Sequence, residues 1–164
     1  QRPPCRTNDP WAMIPPMPMP YTYRHASAEF RAFLDDARDA MNLTSDNATY
    51  TAVDAVFQVF RARLTVPQAL AFADELPCVL RAIFLWRWHP ETPLPFPDRA
   101  ALVAEAQAIR PHHNQTPANC IDAVARALRK QVLEIDLDRV LARLPPGAQA
   151  FWHVPGDSPQ VTFP

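Results

Sequence analysis

The chain has 164 residues, 48% of them hydrophobic, which suits one domain or two small ones that share a core. Its 16 basic and 17 acidic residues give a net charge of −1. That balance carries no electrostatic signature of a nucleic-acid partner or an anionic membrane. No apolar run in the sequence reaches the roughly 18–20 residues that span a bilayer, so we expect no membrane insertion.

Glycine is scarce and proline is abundant, which restricts both the chemistry and the fold. Only Gly147 and Gly156 are present, whereas a phosphate-binding loop needs several glycines, so Walker and Rossmann motifs are excluded. The 20 prolines lie mostly outside the segments of apolar periodicity. We therefore expect helices that prolines separate and do not interrupt.

The first 24 residues are predicted to form an irregular, proline-rich arm (residues 1–24). Seven prolines within the first 20 residues disfavour a helix. The arm has no continuous apolar segment and therefore does not resemble a signal peptide. It is interpreted either as a docking arm for a partner, or as a segment that lies on its own body or is disordered.

Residues 25–88 are predicted to form a first repeat of four helices. Apolar residues recur at the spacing of a buried helix face, as in Phe30, Leu34 and Met41. Ser27 is expected to cap the first helix. The predicted helices are about 28–42, about 48–64, a short helix after Thr65 and one that begins at Pro77.

Residues 98–153 are predicted to form a second four-helix repeat, after a proline-rich linker at 89–97. Thr116 is expected to cap its second helix, with Pro117 at the first helical position. Residues 154–164 are expected to be an irregular tail. Strand patterns are nearly absent, so the predicted fold class is all-α. The predicted helices are about 99–110, 117–132, 137–143 and 145–153.

The two predicted repeats match each other at a fixed offset of 68 residues. Asp54–Val56 recurs as Asp122–Val124, and Arg61 recurs as Arg129. A register kept without gaps over more than 50 residues indicates an internal duplication. We therefore predict two similar four-helix repeats that pack with pseudo-twofold symmetry.

Several segments resemble a known family. In Phe72–Phe84 a Leu-Pro pair leads into an apolar helix, the Trp86–Trp88 cluster follows, and Leu141–Trp152 repeats the Leu-Pro pattern. Together with the Ala52–Val56 helix they resemble the bacterial family catalogued as domain of unknown function 2267, over about residues 24–153. The resemblance implies an all-helical pair of repeats in a bacterial cytoplasmic protein. It brings no established activity and no catalytic residues.

The aromatic cluster is the strongest indication of a binding surface. It combines tryptophan with arginine, the residue types most often found at interface hot spots. Phe84 and Trp88 are expected to share one helix face while Trp86 points elsewhere, so at least one tryptophan should be partly exposed. The alternative is that Phe96 and the prolines beside it cover the rings. The candidate partner-binding residues are Trp86, Arg87, Trp88 and Phe96.

A repeated pair of charged residues supports an alternative site. Both repeats keep an aspartate beside an apolar stripe and an arginine about two helical turns further on. Such a set could line a cleft between the repeats and hold a small polar ligand or a cofactor. The structural interpretation is that these residues form ion pairs or caps that fix helix packing. The four residues are Asp54, Arg61, Asp122 and Arg129.

The sequence shows no constellation typical of catalysis or metal binding, and we predict neither an enzyme nor a cofactor or metal site. His112 and His113 are adjacent and project in different directions, which does not suit a shared metal ion. Three cysteines without CxxC spacing favour a reducing, cytoplasmic compartment. The leading hypothesis is therefore a non-catalytic helical module that binds another protein or associates with itself. The alternative is a regulatory protein that binds a small molecule between the repeats.

Overall fold

The computed structural model describes residues 19–112 and 116–156, and all the regular secondary structure in them is helical. The all-α prediction is therefore confirmed. None of the helices in these ranges is both long and apolar enough to cross a membrane. The helices are α1 (Tyr21–Arg24), α2 (Ala26–Ala40), α3 (Asp46–Arg61), α4 (Val66–Asp74), α5 (Cys78–Leu85), α6 (Arg99–Ala108), α7 (Cys120–Arg129), α8 (Glu134–Leu141) and α9 (Gly147–Trp152).

Several helix boundaries recur at the offset found in the sequence. Helix α3 ends at Arg61 and α7 ends at Arg129, while α4 begins at Val66 and α8 begins at Glu134. The two boundaries of each pair are 68 residues apart. The similarity between the two halves of the sequence therefore extends to the positions where these helices begin and end.

Side-chain caps explain some of the helix starts. Thr65 and Gln68 form a reciprocal capping box at the start of α4, in which each side chain bonds to the backbone N–H of the other residue. Asp98 caps α6 by accepting a hydrogen bond from the Ala101 N–H at 2.8 Å. The predicted Ser27 cap is wrong, because α2 has already begun at the preceding residue.

The second helix of the second half begins later than predicted. Helix α7 starts at Cys120 because the chain first makes a turn in which the Cys120 N–H donates to the Pro117 carbonyl oxygen at 3.1 Å. Thr116 therefore caps no helix and is buried. The Asn119 side chain holds the turn in place by donating to the Ala40 carbonyl oxygen at 2.9 Å, which satisfies the end of α2.

The described part of the predicted arm contains a short helix. Tyr21–Arg24 forms the single turn α1, where the prolines were expected to exclude a helix. The turn begins directly after Pro20, the last proline of the arm, so no helical residue has to be a proline. Tyr21 stacks on His25 with ring centroids 3.9 Å apart. Residues 1–18, which carry the other prolines of the arm, lie outside the described residues.

The two halves pack through reciprocal helix contacts. Helix α2 packs against α7, and α6 packs against α3, so the first long helix of each half lies against the second helix of the other half. Helices α3 and α7 contact each other, as do α4 and α8. Exchanging the halves leaves these four contacts unchanged, whereas the packing of α2 against α3 and α5 has no equally extensive counterpart for α6 against α7 and α9. The pseudo-twofold relation is consistent with that pattern and stays a prediction.

Aromatic rings from both halves form the centre of a single core. The Phe60 ring lies among them, with its centroid 4.8 Å from Phe72, 5.0 Å from Phe151 and 5.2 Å from Trp152. All four side chains are almost completely buried, and aromatic rings contribute large apolar areas to a core. Because the rings come from α3, α4 and α9, the two halves share this core. Phe57 and Phe84 complete the cluster.

Candidate functional site

A buried arginine fixes the end of the last helix in the first half. The Arg61 guanidinium, at the end of α3, donates through Nη1 to the carbonyl oxygens of Phe84 at 2.6 Å and Trp86 at 3.2 Å. Carbonyls at a helix C-terminus lack partners within the helix, so this contact satisfies them. Arg61 is 8% exposed, and its bonds therefore hold the turn after α5 from the inside of the protein.

The turn after α5 presents Trp86 to solvent. Arg87 adopts a left-handed backbone conformation with φ of 49°, which directs the chain away from the helix. Trp86 is 60% exposed, and the Arg87 guanidinium carbon lies 5.4 Å from its ring centroid. The predicted pairing of Phe84 with Trp88 on one helix face is wrong, because the helix ends between them. Phe84 is buried in the core, while Trp88 lies half-buried beyond the turn.

Phe96 fixes the linker to the second half of the protein. Its ring packs against Phe151 with centroids 6.4 Å apart, and it covers Gly147, where a Cβ atom would overlap the Phe96 side chain. The linker is also held to the first half, since the Leu94 N–H donates to the Ala62 carbonyl oxygen at 3.0 Å. The structure therefore places Phe96 in packing contacts on α9 and places Trp86 on the surface.

The second half repeats the arginine contact of the first half. The Arg129 Nε donates to the Trp152 carbonyl oxygen at 3.0 Å. Arg129 and Trp152 are the residues that match Arg61 and Phe84 at the offset of 68. Arg129 differs from Arg61 in having carboxylate partners, because Asp138 lies 3.2 Å and Glu134 3.5 Å from its guanidinium. The two repeated arginines therefore share a backbone contact and differ in the neutralisation of their charge.

The two repeated aspartates have different partners. Asp54 accepts a hydrogen bond from the Gln58 amide at 2.8 Å, whereas Asp122 lies 3.5 Å from the Arg99 guanidinium. Each of these contacts lies within one half of the chain. The polar contacts of the described residues thus do not bring the four residues of the predicted inter-repeat site together.

A cleft of about 170 Å³ lies beside Arg61. One wall comes from the end of α3 and the other from the linker after the turn. The cleft brings Arg61 and Trp88 together, although the sequence had assigned them to two different sites. The cleft could not be predicted from the sequence, because the linker residues follow no periodic pattern. The cleft is lined by Gln58, Arg61, Ala62, Leu64, Trp88, His89, Glu91, Thr92 and Leu94.

Arg61 is a buried cation that bonds to carbonyl oxygens and lacks a carboxylate partner among the described residues. Burial lowers the pKa of Arg61 from its ordinary value, and the negative charge of Asp54 partly opposes this shift. The other buried arginine, Arg63, is 2% exposed and pairs with Glu105 at 2.6 Å. Since a buried charge is costly without a counter-charge, Arg61 is the stronger candidate for binding an anion.

The remaining residues with reactive side chains are dispersed. Within 19–112 and 116–156, no three side chains of His, Cys, Asp or Glu are grouped so as to hold a metal ion. His113 lies outside the described residues. Burial raises the pKa of the Cys120 thiol to about 11, so this thiol is protonated at neutral pH and is a poor nucleophile.

These observations define an all-helical protein whose two halves share one aromatic core, with an exposed tryptophan close to a small polar cleft. The sequence profile of the DUF2267 family, described as an uncharacterized conserved protein, matches residues 30–151. This match covers most of the chain, and the protein therefore belongs to the DUF2267 family. The family resemblance seen in the sequence is confirmed. None of the curated proteins compared with the chain matches it.

Proposed function

We propose that this protein is a non-catalytic interaction module that binds another protein through the turn at Trp86 and Arg87. The observation that carries the proposal is the 60% exposure of Trp86 on a turn whose backbone Arg61 holds from within. Exposure alone would be ordinary for a single apolar residue. An exposed ring on a fixed backbone is different, because an anchor that is ordered before binding loses little conformational entropy in the complex.

The side chains on the turn indicate the chemistry of the partner. Trp86 supplies a large apolar ring, and Arg87 supplies an exposed cation whose guanidinium carbon is 5.4 Å from the ring centroid. Tryptophan and arginine are enriched among residues that dominate binding energy. The partner should therefore offer an apolar recess with an Asp or Glu carboxylate at its edge, which receives both groups and leaves no charge unpaired.

We also propose that the protein is located in the bacterial cytoplasm. Cys78 and Cys120, the first residues of α5 and α7, form no disulfide with each other or with any other described residue. Unpaired cysteines are typical of a reducing compartment.

Affinity capture with the full chain as bait tests the proposal, with Trp86→Ala as the test variant. Leu133→Ala is the matched control, because Leu133 is 71% exposed and lies on the second half. Partner proteins retained by the wild type and by Leu133→Ala should be lost with Trp86→Ala. Against a purified partner, Trp86→Ala should raise the Kd at least about 30-fold, the size of a hot-spot effect.

Circular dichroism provides the folding control for this experiment. The Trp86 side chain lies outside the core, so Trp86→Ala should leave the helical signal unchanged. Undiminished partner binding by a folded Trp86→Ala would contradict the proposal. Sedimentation of the purified chain covers the remaining case, because a dimer that Trp86→Ala dissociates would identify the partner as a second copy of this chain.

A further inference from the structure

The cleft beside Arg61 contains a buried guanidinium that forms no ion pair with any described residue. Arg61 is 8% exposed, and its Nη1 atom bonds to two backbone carbonyl oxygens. Its Nε and Nη2 atoms donate to no other described residue, and no described carboxylate lies within ion-pair distance. Carbonyl oxygens satisfy donors without neutralising a charge. The guanidinium therefore keeps three N–H groups, one on Nε and two on Nη2, and a positive charge that no ion pair neutralises, beside an open cavity.

The rest of the cleft is divided between polar and apolar groups. Trp88 and Leu94 contribute apolar surface, while His89 and Thr92 contribute groups that can hydrogen-bond. At about 170 Å³ the cleft is similar in size to a cavity of about 150 Å³ that accepts a benzene ring. The space therefore suits a ligand of one ring or one short chain.

We propose that this cleft is a binding site for a small organic carboxylate, with the carboxylate on the Arg61 guanidinium and a ring or short apolar chain against Trp88 and Leu94. A planar carboxylate matches the fork of a guanidinium, which gives two parallel charge-assisted hydrogen bonds. The ligand brings the counter-charge that Arg61 lacks. This site is separate from the surface at Trp86, because Trp86 does not line the cleft.

Replacing Glu91 gives a further test of the site, because the direction of the change in affinity identifies the charge of the ligand. Glu91 is one of the residues that line the cleft, and its negative charge repels an anion there. Glu91→Gln keeps the size of the side chain and removes the charge. A bound carboxylate should therefore bind about two- to fivefold more tightly to Glu91→Gln than to the wild type, an effect typical of an exposed charge.

Titration of the full chain with benzoate, followed by ¹H–¹⁵N NMR, tests the site. The indole signal of Trp88 should shift and reach saturation, while that of Trp152, which is 0% exposed, should not move. Arg61→Lys keeps the charge and loses the planar fork, so affinity for benzoate should fall at least about tenfold. Arg129→Lys is the matched control, since Arg129 donates, through Nε, to the carbonyl oxygen at the equivalent position and already pairs with Asp138.

The results that would overturn the proposal are distinct. Benzoate that produces no saturable shift at Trp88 would refute the site, and so would equal affinities of Arg61→Lys and Arg129→Lys. Inorganic phosphate that binds as tightly as benzoate would refute the carboxylate class, because it makes no use of the apolar wall. If Arg61→Lys fails to fold, the benzoate affinity of Glu91→Gln tests the site instead. An unchanged or weakened affinity in that variant would contradict the proposal.

Discussion

Arg61 and Phe84 are joined by a 2.6 Å hydrogen bond from the guanidinium Nη1 to the backbone carbonyl oxygen, which ties the end of α3 to the end of α5. Arg129 and Trp152 form the same kind of bond at 3.0 Å. In both halves the donor precedes the acceptor by 23 residues. The two halves thus share a tertiary contact as well as a sequence register.

Removing either guanidinium should destabilise the protein, and removing that of Arg61 should cost more than removing that of Arg129. We expect Arg61→Ala to lower the free energy of unfolding by about 2–4 kcal/mol, because the carbonyls of Phe84 and Trp86 lose their buried donor. Arg129→Ala should cost about 1–2 kcal/mol, since it leaves one such carbonyl, at Trp152, without its donor. Urea unfolding followed by circular dichroism measures both effects.

The control for this comparison separates the backbone bond from the ion pair. Asp138 is 55% exposed, and its pair with Arg129 should contribute little to stability. Asp138→Asn should therefore lie within about 0.5 kcal/mol of the wild type. A loss as large as that of Arg129→Ala would show that the ion pair, and not the carbonyl contact, holds α9 in place.

Gly147 is predicted to be sensitive to the smallest possible substitution. The Phe96 side chain occupies the space that a Cβ atom at this position would need. Gly147→Ala should therefore destabilise the protein by about 1–3 kcal/mol, the usual cost of overpacking. Because the Phe96 Cβ atom is itself part of this obstacle, Phe96→Gly is the variant that removes it, and adding Gly147→Ala to that variant should cost much less. Strictly additive losses in this double-mutant cycle would contradict the packing argument.

Asp46 should make the stability of the protein depend on pH in the acidic range. Its carboxylate accepts hydrogen bonds from Arg31 at 2.6 Å and from Arg38 at 2.9 Å, and these bonds lower the pKa of Asp46 below its ordinary value. A carboxyl whose pKa is lower in the folded state stabilises the protein above its unfolded pKa of about 3.9. That stabilisation disappears as the pH falls through the folded value.

Asp46→Asn tests this dependence. The variant should unfold at a lower urea concentration than the wild type at pH 7, and the gap should close as the pH is lowered below about 4. Asp74→Asn is the control, because Asp74 is exposed and makes no ion pair among the described residues. A gap for Asp46→Asn that stays constant from pH 7 to pH 3 would show that the arginine bonds are not its origin.

Cys120 should resist alkylation in the native protein. Burial raises the pKa of its thiol to about 11, so almost no thiolate is present at pH 8. Iodoacetamide at pH 8, followed by peptide mass spectrometry, should modify the partly exposed Cys78 before Cys120. Cys120 should become labelled only when urea unfolds the chain. Equal labelling of both cysteines without urea would contradict the burial of Cys120.

The same pKa shift has a consequence for stability at alkaline pH. The unfolded chain loses the Cys120 proton near pH 8.5, whereas the folded chain keeps it to about 11. Stability should therefore fall between these two values, because the unfolded state binds fewer protons there. Cys120→Ala should lose part of this slope, which urea unfolding at pH 8 and pH 10 would show.

The helices could largely be predicted because their causes are local. Apolar periodicity located the main helices, and Thr65 with Pro67 marked the start of α4. The offset that links Arg61 to Arg129 was also readable in the sequence. Errors arose where a tertiary contact decided the boundary, as at α7, where the turn after Pro117 is held by the bond from Asn119 to the end of α2.

The candidate site could be predicted only in part. The aromatic cluster and Arg61 were identified as separate features, because 25 residues of sequence separate Arg61 from Trp86. No spacing rule indicates that Arg87 adopts a left-handed conformation, which turns Trp88 towards the linker. Because of this conformation, Trp86 lies on the exposed turn and Trp88 lines the cleft.

The all-helical class and the family could be read from the sequence alone, because they follow from side-chain periodicity and from residue identity at fixed positions. The internal duplication, inferred from matches at an offset of 68 residues, stays a prediction. The exposure of Trp86, and the burial of Arg61 without an ion pair to any described carboxylate, depend on the tertiary structure. The exposure of a side chain and the pairing of a charge depend on contacts between segments that are distant in the sequence. The pattern of residues along the chain does not specify those contacts.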